Sequence, residues 1–227
     1  MKKGNGFMNN KLKYWCNRLN DMPCVSAVLV IANVIVFLIC TFTGDLLYNI
    51  GNTGAAYILG GEYYRMFTAM FLHVDSSHLV GNMLILFGLG TMIEKEVGHV
   101  KFGIFYLAAG ICGDVLSVYG QLISGDFFTS VGASGAVFGL DGILVALVLF
   151  SGKNISGVTL PRIFLMLVCS LYSGFVSADY IDNGAHIGGL IGGFLLGTGL
   201  CAVRRLRKKR RSSMMSRRER YGYRNEH

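Results

Sequence analysis

Residues 24–43 run for twenty positions without one charged side chain. As a helix rising about 1.5 Å per residue, such a run crosses a hydrocarbon layer of about 30 Å. Further apolar runs fall at 77–93, 100–122, 131–150, 162–176 and 184–203, the fifth being the shortest. Backbone groups inside a bilayer must satisfy one another, and a run of this length does so as a helix. The fold class expected is therefore an all-α polytopic membrane protein, a bundle of six transmembrane helices. Composition agrees. Only 15% of residues are charged and mean hydropathy is +0.50, against about 25% charged in soluble domains. The apolar stretch 66–72 is too short to span, and a long polar loop, 44–65, precedes it.

The net charge of +8 is carried mostly at the ends. Of the 21 Lys and Arg, 11 lie between Arg204 and Arg224 and five between Lys2 and Arg18. A nucleic-acid interface needs basic residues spread over a folded face; here they flank apolar runs, so no nucleic-acid partner is expected. With six spans and a cytoplasmic N-terminus, 20 of the 21 fall in the cytoplasm and only Arg65 outside. Cytoplasmic loops carry such an excess, so both termini are expected inside. The expected division is a cytoplasmic segment at 1–22, a membrane domain at 23–203 and a basic cytoplasmic tail at 204–227. The tail reads as a stop-transfer flank with a disordered end, compatible with contact to anionic lipid. No cleavable signal peptide is evident. A short chain without added domains points to a bacterial inner membrane. The six cysteines form no CxxC pair and read as small core residues.

An ionisable group at membrane depth costs about 2.5–3.5 kcal/mol, so each needs a reason. Ser134 lies near the start of the fourth span and His186 near the start of the sixth. In the six-span arrangement both starts are on the outer side, about 3–5 Å along their helices. His78 and Asn82, spaced i, i+4 on one face of the second span, reach the same layer. A serine hydroxyl needs a base to become a nucleophile, and histidine is the usual one. A developing oxyanion needs fixed donors, which Asn, His and the N–H of Ser134 at a helix start supply. Glycines at 184, 188 and 192, at 189, 193 and 197, and at 135 and 139 would let the helix backbones approach closely. Asp141 lies about two turns, or 10 Å, beyond Ser134 and is too far to join it; it and Asp114 read as structural, hydrogen-bonded acids. Glu94-Lys95-Glu96 closes the second span.

These residues resemble the motifs of the rhomboid family of intramembrane serine proteases. Gly132-Ala133-Ser134-Gly135 is similar to the family's GxSG, Ala185-His186-Ile187-Gly188-Gly189 to its AHxxG, and His78-Leu79-Val80-Gly81-Asn82 to its HxxxN. Tyr64-Arg65 looks like its aromatic–Arg pair and Glu94 like the acid ending its second span. The resemblance runs from Met66 to Gly197. It implies a Ser134–His186 dyad, an oxyanion site of His78, Asn82 and the Ser134 N–H, and packing roles for Gly132, Gly135 and Gly189. It also implies membrane-anchored protein substrates cut near the outer end of a transmembrane segment, with no cofactor and no metal. The fifth span and the loop 177–183 would then cover the site. Phe138 stands where some members carry a Tyr stacked on the catalytic histidine; stacking is kept and the hydroxyl lost. His73, also near the outer layer, reads as structural. A zinc protease of the HExxH type and an aspartyl protease of the GxGD type fail on motif, since Gly113-Asp114 lacks the spacing. A transporter would carry its polar groups nearer the midplane. An inactive rhomboid-like chaperone or trafficking factor would lack Ser134 or His186, and both are present.

Overall fold

The computed structural model describes residues 22–44, 46–151, 161, 168 and 182–222, with side chains to 215. Eight helices are used below: α1 (Cys24–Thr43), α2 (Leu46–Gly51), α3 (Ala55–Leu59), α4 (Arg65–Thr68), α5 (Ser76–Val97), α6 (His99–Ser124), α7 (Ser134–Phe150) and α8 (Asn183–Gly222). Among the described residues, four of them are long and apolar enough to cross a membrane: α1, α5, α6 and α8 as far as Met215. The 17-residue α7 is shorter and equally apolar. The expected span at 162–176 and the loop at 177–183 lie almost entirely outside the described residues, as does the segment 1–21.

The bundle is buried at its centre and apolar on its outside. Leu86, Leu89 and Ile93 of α5 meet Phe102 and Tyr106 of α6 and Leu140, Ile143, Leu144 and Leu147 of α7, all at most 2% exposed. The outward faces are also apolar: Val28 and Phe42 on α1, Leu84 and Phe87 on α5, Ile104 on α6, Ile187 and Leu195 on α8. Soluble monomers do not expose apolar surface continuously over every long helix; a bilayer solvates it. This is a multi-pass membrane protein.

Packing of the site-bearing helices is set by glycine. The two stripes on α8 face two different partners. A Cβ on Gly184, Gly188 or Gly192 would strike Ser117, Cys112 or Leu116 of α6; one on Gly189, Gly193 or Gly197 would strike Gly135, Gly139 or Ala146 of α7. For Gly189 and Gly193 the obstacle is a backbone carbonyl oxygen only 1.9 Å away. At these crossings helix backbone rests on helix backbone, which only a missing side chain allows.

Several expectations are corrected. Glu94-Lys95-Glu96 lies in the last turn of α5, which ends at Val97, but Glu94 does more than close the helix. It is buried inside the bundle and caps the start of α1, accepting from the backbone N–H groups of Val25 (2.9 Å) and Ser26 (2.8 Å) and from the Ser26 hydroxyl (2.6 Å). A carboxylate there satisfies orphan donors and opposes the positive end of the helix dipole. The polar segment 44–65 is folded, as α2, α3 and turns gathered round Arg65. That guanidinium donates to the Asn49 and Asn52 carbonyls and to Glu62, and stacks 3.9 Å over the Tyr57 ring. The basic tail continues α8 without a break to Gly222, where a disordered end was expected. Of the cysteines described, Cys40 and Cys201 are buried, whereas Cys24 and Cys112 are exposed on helix surfaces.

Candidate active site

At one end of the bundle, the segment before α7 is drawn inward by backbone pairing. Thr53 and Ser130 exchange hydrogen bonds of 3.0 and 2.8 Å, and the Gly132 N–H donates to the Ala69 carbonyl at 2.9 Å. Gly132 takes φ +129°, a conformation that a side chain would strain. The chain then turns into α7 with Ser134 as its first residue. The Ser134 N–H is thus one of the helix-start donors without an intrahelical acceptor. A Cβ at position 132 would lie 2.7 Å from the His78 ring and 3.8 Å from Ser134 Oγ. That point, empty because residue 132 is glycine, is faced by both side chains.

His78 and Asn82 project from the first turns of α5, whose start is capped by Asp75 through a 2.8 Å bond from the His78 N–H to its carboxylate. Asn82 is 4% exposed, and its buried Nδ2 donor has no partner among the described residues. His186 stands in the first turn of α8. Its ring stacks on Phe138, one turn along α7 from Ser134, with centroids 4.2 Å apart and planes at 16°. Gly135 abuts Ala185, and Gly189 abuts Gly135, so the stretches carrying Ser134 and His186 meet backbone to backbone. The Ser134 hydroxyl and the His186 ring are not hydrogen-bonded to each other in this structure. Short catalytic bonds commonly tighten only in the complex.

The remaining acids separate. Asp141 is buried in α7 at 1% exposure. Asp114 does not make the expected interhelical bond through Oδ2, which has no partner among the described residues. It borders a cavity of about 10 Å³ shared with Ser130, Ser134 and Ala185. Three residues that sequence reasoning passed over are joined by hydrogen bonds at the start of α8: Ser117 and Gln121 of α6, and Asp182, which precedes α8. A capping signal was readable at Asp182, an acid just before an apolar run.

His73 is fully buried and packs edge-on against His78, ring centroids 5.1 Å apart. The Tyr48 hydroxyl donates to its carbonyl. Burial, and then the neighbouring His78, hold its pKa down to about 3. The unfolded chain binds this proton near pH 6.5 and the folded chain only near pH 3. Stability from this group is therefore complete above about pH 6.5 and is lost as pH falls toward 3. In detergent, the melting temperature should drop between pH 7 and 4.5, and the drop should be shallower in His73→Leu. Equal slopes would remove His73 from the account.

Sequence comparisons give the family. The Rhomboid domain model matches residues 60–203, a stretch that holds all four polar side chains. The chain belongs to the rhomboid family. Rhomboid protease GluP of Bacillus subtilis is 33% identical over 187 residues, covering 80% of this chain and 36% of that protein. RHOMBOID-like protein 7 of Arabidopsis thaliana is 36% identical over 136 residues, covering 60% of this chain and 42% of the relative. RHOMBOID-like protein 1 of the same plant is 34% identical over 136 residues, with coverage of 60% and 34%. The chain thus spans about two-fifths or less of the length of these relatives. The rhomboid region begins near α4 and runs through the membrane part of α8.

Proposed function

We propose that this rhomboid protein is an intramembrane serine protease that cleaves membrane-anchored proteins. Ser134 Oγ attacks the scissile carbonyl carbon and His186 accepts its proton. Asn82 Nδ2, a His78 ring N–H and the Ser134 N–H hold the oxyanion. Collapse of the tetrahedral species releases the amine, which takes the proton from His186. Water, deprotonated by His186, then hydrolyses the acyl-enzyme. The observation that carries this reading is the buried Nδ2 donor of Asn82, one turn along α5 from His78, which has no partner among the described residues. A buried donor without a partner costs about 1–3 kcal/mol, and a use in the reaction accounts for that cost. The name of the Bacillus subtilis relative, a rhomboid protease, supports the same reading.

The length of α7 supports cleavage within the membrane. Seventeen residues span about 25 Å, short of a hydrocarbon core of about 30 Å. Arg205 donates at 2.8 Å to the Phe150 carbonyl, which holds that end of α7 at the basic, headgroup side. The shortfall then falls at the Ser134 end, below the opposite surface. The distribution of Lys and Arg supports reading that as the outer surface, with both termini cytoplasmic.

Purified protein mixed with a fluorescent serine-reactive phosphonate should label, and Ser134→Ala should not. Equal labelling of both would exclude Ser134 as the activated nucleophile. No labelling of the wild type, under conditions where an active rhomboid protease labels, would favour an inactive scaffold. Asn82→Ala should lower kcat on a transmembrane substrate by about 100- to 1,000-fold, the usual effect of removing one oxyanion donor. A loss confined to KM would instead make Asn82 a substrate-binding residue.

A further inference from the structure

Asp182 is fixed on three sides. Its carbonyl accepts from the His186 N–H at 3.1 Å, and its Oδ1 accepts from the Ala185 N–H at 2.9 Å. Its Oδ2 accepts from the Ser117 hydroxyl at 2.5 Å. The first two bonds are a helix cap; they order the single turn from which His186 projects. The third ties that turn to α6, across 65 residues of sequence. The tie continues along the same face of α6. Gln121, one turn on, donates through Nε2 to the Ser117 oxygen at 3.3 Å, and its Oε1 accepts from the N–H groups of Ala55 (3.0 Å) and Phe128 (3.4 Å). Phe128 lies in the segment that passes through Ser130 and Gly132 to Ser134. Asp182, Ser117 and Gln121 are 7%, 3% and 2% exposed. A buried polar network with its partners made is rigid.

We infer that Asp182 is a positioning residue: through Ser117 and Gln121 it sets the helix turn that carries His186 against the segment that carries Ser134. The inference rests on the protease reading above. Glycine contacts hold α7 and α8 close together, but backbone contact between smooth faces permits small shifts along the helix axis. A directional hydrogen-bond chain from the α8 cap to the chain before α7 resists such shifts. Asp182 does not touch the reacting atoms in this arrangement. Its effect is on the distance and angle between the base and the nucleophile, where a misplacement of about 1 Å can cost about 100-fold in rate.

The test measures phosphonate labelling of the full chain in detergent, resolved into a maximal rate and a half-saturating concentration. Burst amplitude gives the active fraction, and thermal melting the stability. Ser117→Ala leaves the α8 cap in place, so it tests the tie even if Asp182→Ala fails to fold. Ser117→Ala and Asp182→Ala should each slow the maximal rate about 10- to 100-fold, with half-saturation unchanged. The double variant should be no slower than Asp182→Ala alone. Asp182→Asn, which keeps an oxygen for the Ala185 N–H and a polar partner for Ser117, should recover most of the rate. A role in stability alone would lower melting temperature and burst amplitude and leave the rate of the active molecules at the wild-type value; that result overturns the inference. So does a wild-type rate in Ser117→Ala, or independent, multiplying effects in the double variant. If wild type itself fails to label while an active rhomboid protease does, the protease reading falls and takes this inference with it.

Discussion

His186→Ala should reduce kcat/KM on a transmembrane substrate by a factor on the order of 10⁴ or more, with the protein still folded. Removing the base of a serine hydrolase leaves a hydroxyl that is almost entirely protonated, and losses of this size or larger are usual. The fold should survive because, among the described residues, the imidazole makes no hydrogen bond that holds other elements together; it stacks on Phe138. Phe138→Leu separates geometry from chemistry. It removes the stacked ring and leaves the base, so its effect should be far smaller, about 10-fold. Phe138→Tyr should stay close to wild type, since the ring that fixes the imidazole plane is kept. The measurement is cleavage of a fluorogenic transmembrane substrate in proteoliposomes, with melting temperature beside it. If His186→Ala cleaves within about 10-fold of wild type, the dyad is not the catalytic unit.

Gly189→Ala and Gly193→Ala should be the most damaging single methyl groups among the described glycines. At each position the added carbon would lie 1.9 Å from a backbone carbonyl oxygen of α7. No rotamer change can relieve that contact, because the opposing atom is backbone. The helices must separate, opening the Gly135–Ala185 crossing that holds Ser134 and His186 in one layer. A loss of about 3 kcal/mol or more is expected, at or beyond the upper end of overpacking costs, together with loss of labelling. Gly120 on α6 is the internal control. Nothing lies within 4 Å of a Cβ there, so Gly120→Ala should be neutral or stabilising by up to about 1 kcal/mol. Steric-trap or denaturant unfolding in detergent would rank the three. Similar stability for all three would mean that α7 and α8 do not meet as closely as described.

Much of this molecule was legible in the sequence because bilayer helices are locally determined. Each must satisfy its own backbone, so an apolar run of sufficient length marks a helix without reference to its neighbours. The run at 24–43 returned as α1 with the same limits, and the runs at 77–93 and 100–122 returned a few residues longer. The residues proposed as catalytic were legible for a related reason. A polar side chain is costly in lipid, so Ser134, His186, His78 and Asn82 stood out against an apolar background, and helical spacing placed them in one layer. The tail, read as a stop-transfer flank with a disordered end, is helical as far as Gly222. In fact α8 enters the tail already nucleated by its membrane turns, and propagation from a formed helix is far easier than nucleation.

What the sequence by itself determined was therefore the course of the long apolar helices α1, α5, α6 and the membrane part of α8, and of the shorter α7. What only the tertiary structure decided was rotation and partnership. It showed that one glycine stripe of α8 faces α6 and the other faces α7. It showed Glu94 turned inward to cap α1, the buried Asn82 amide donor without a partner among the described residues, and Asp182 joined through Ser117 and Gln121 to the chain before Ser134. Those contacts link residues far apart in the chain: Val25 and Glu94 are 69 positions apart, and Gly192 and Cys112 are further still. Nothing in hydropathy encodes them, because a helix fixes its own hydrogen bonds locally, whereas the direction each face points is fixed only when the helices pack together.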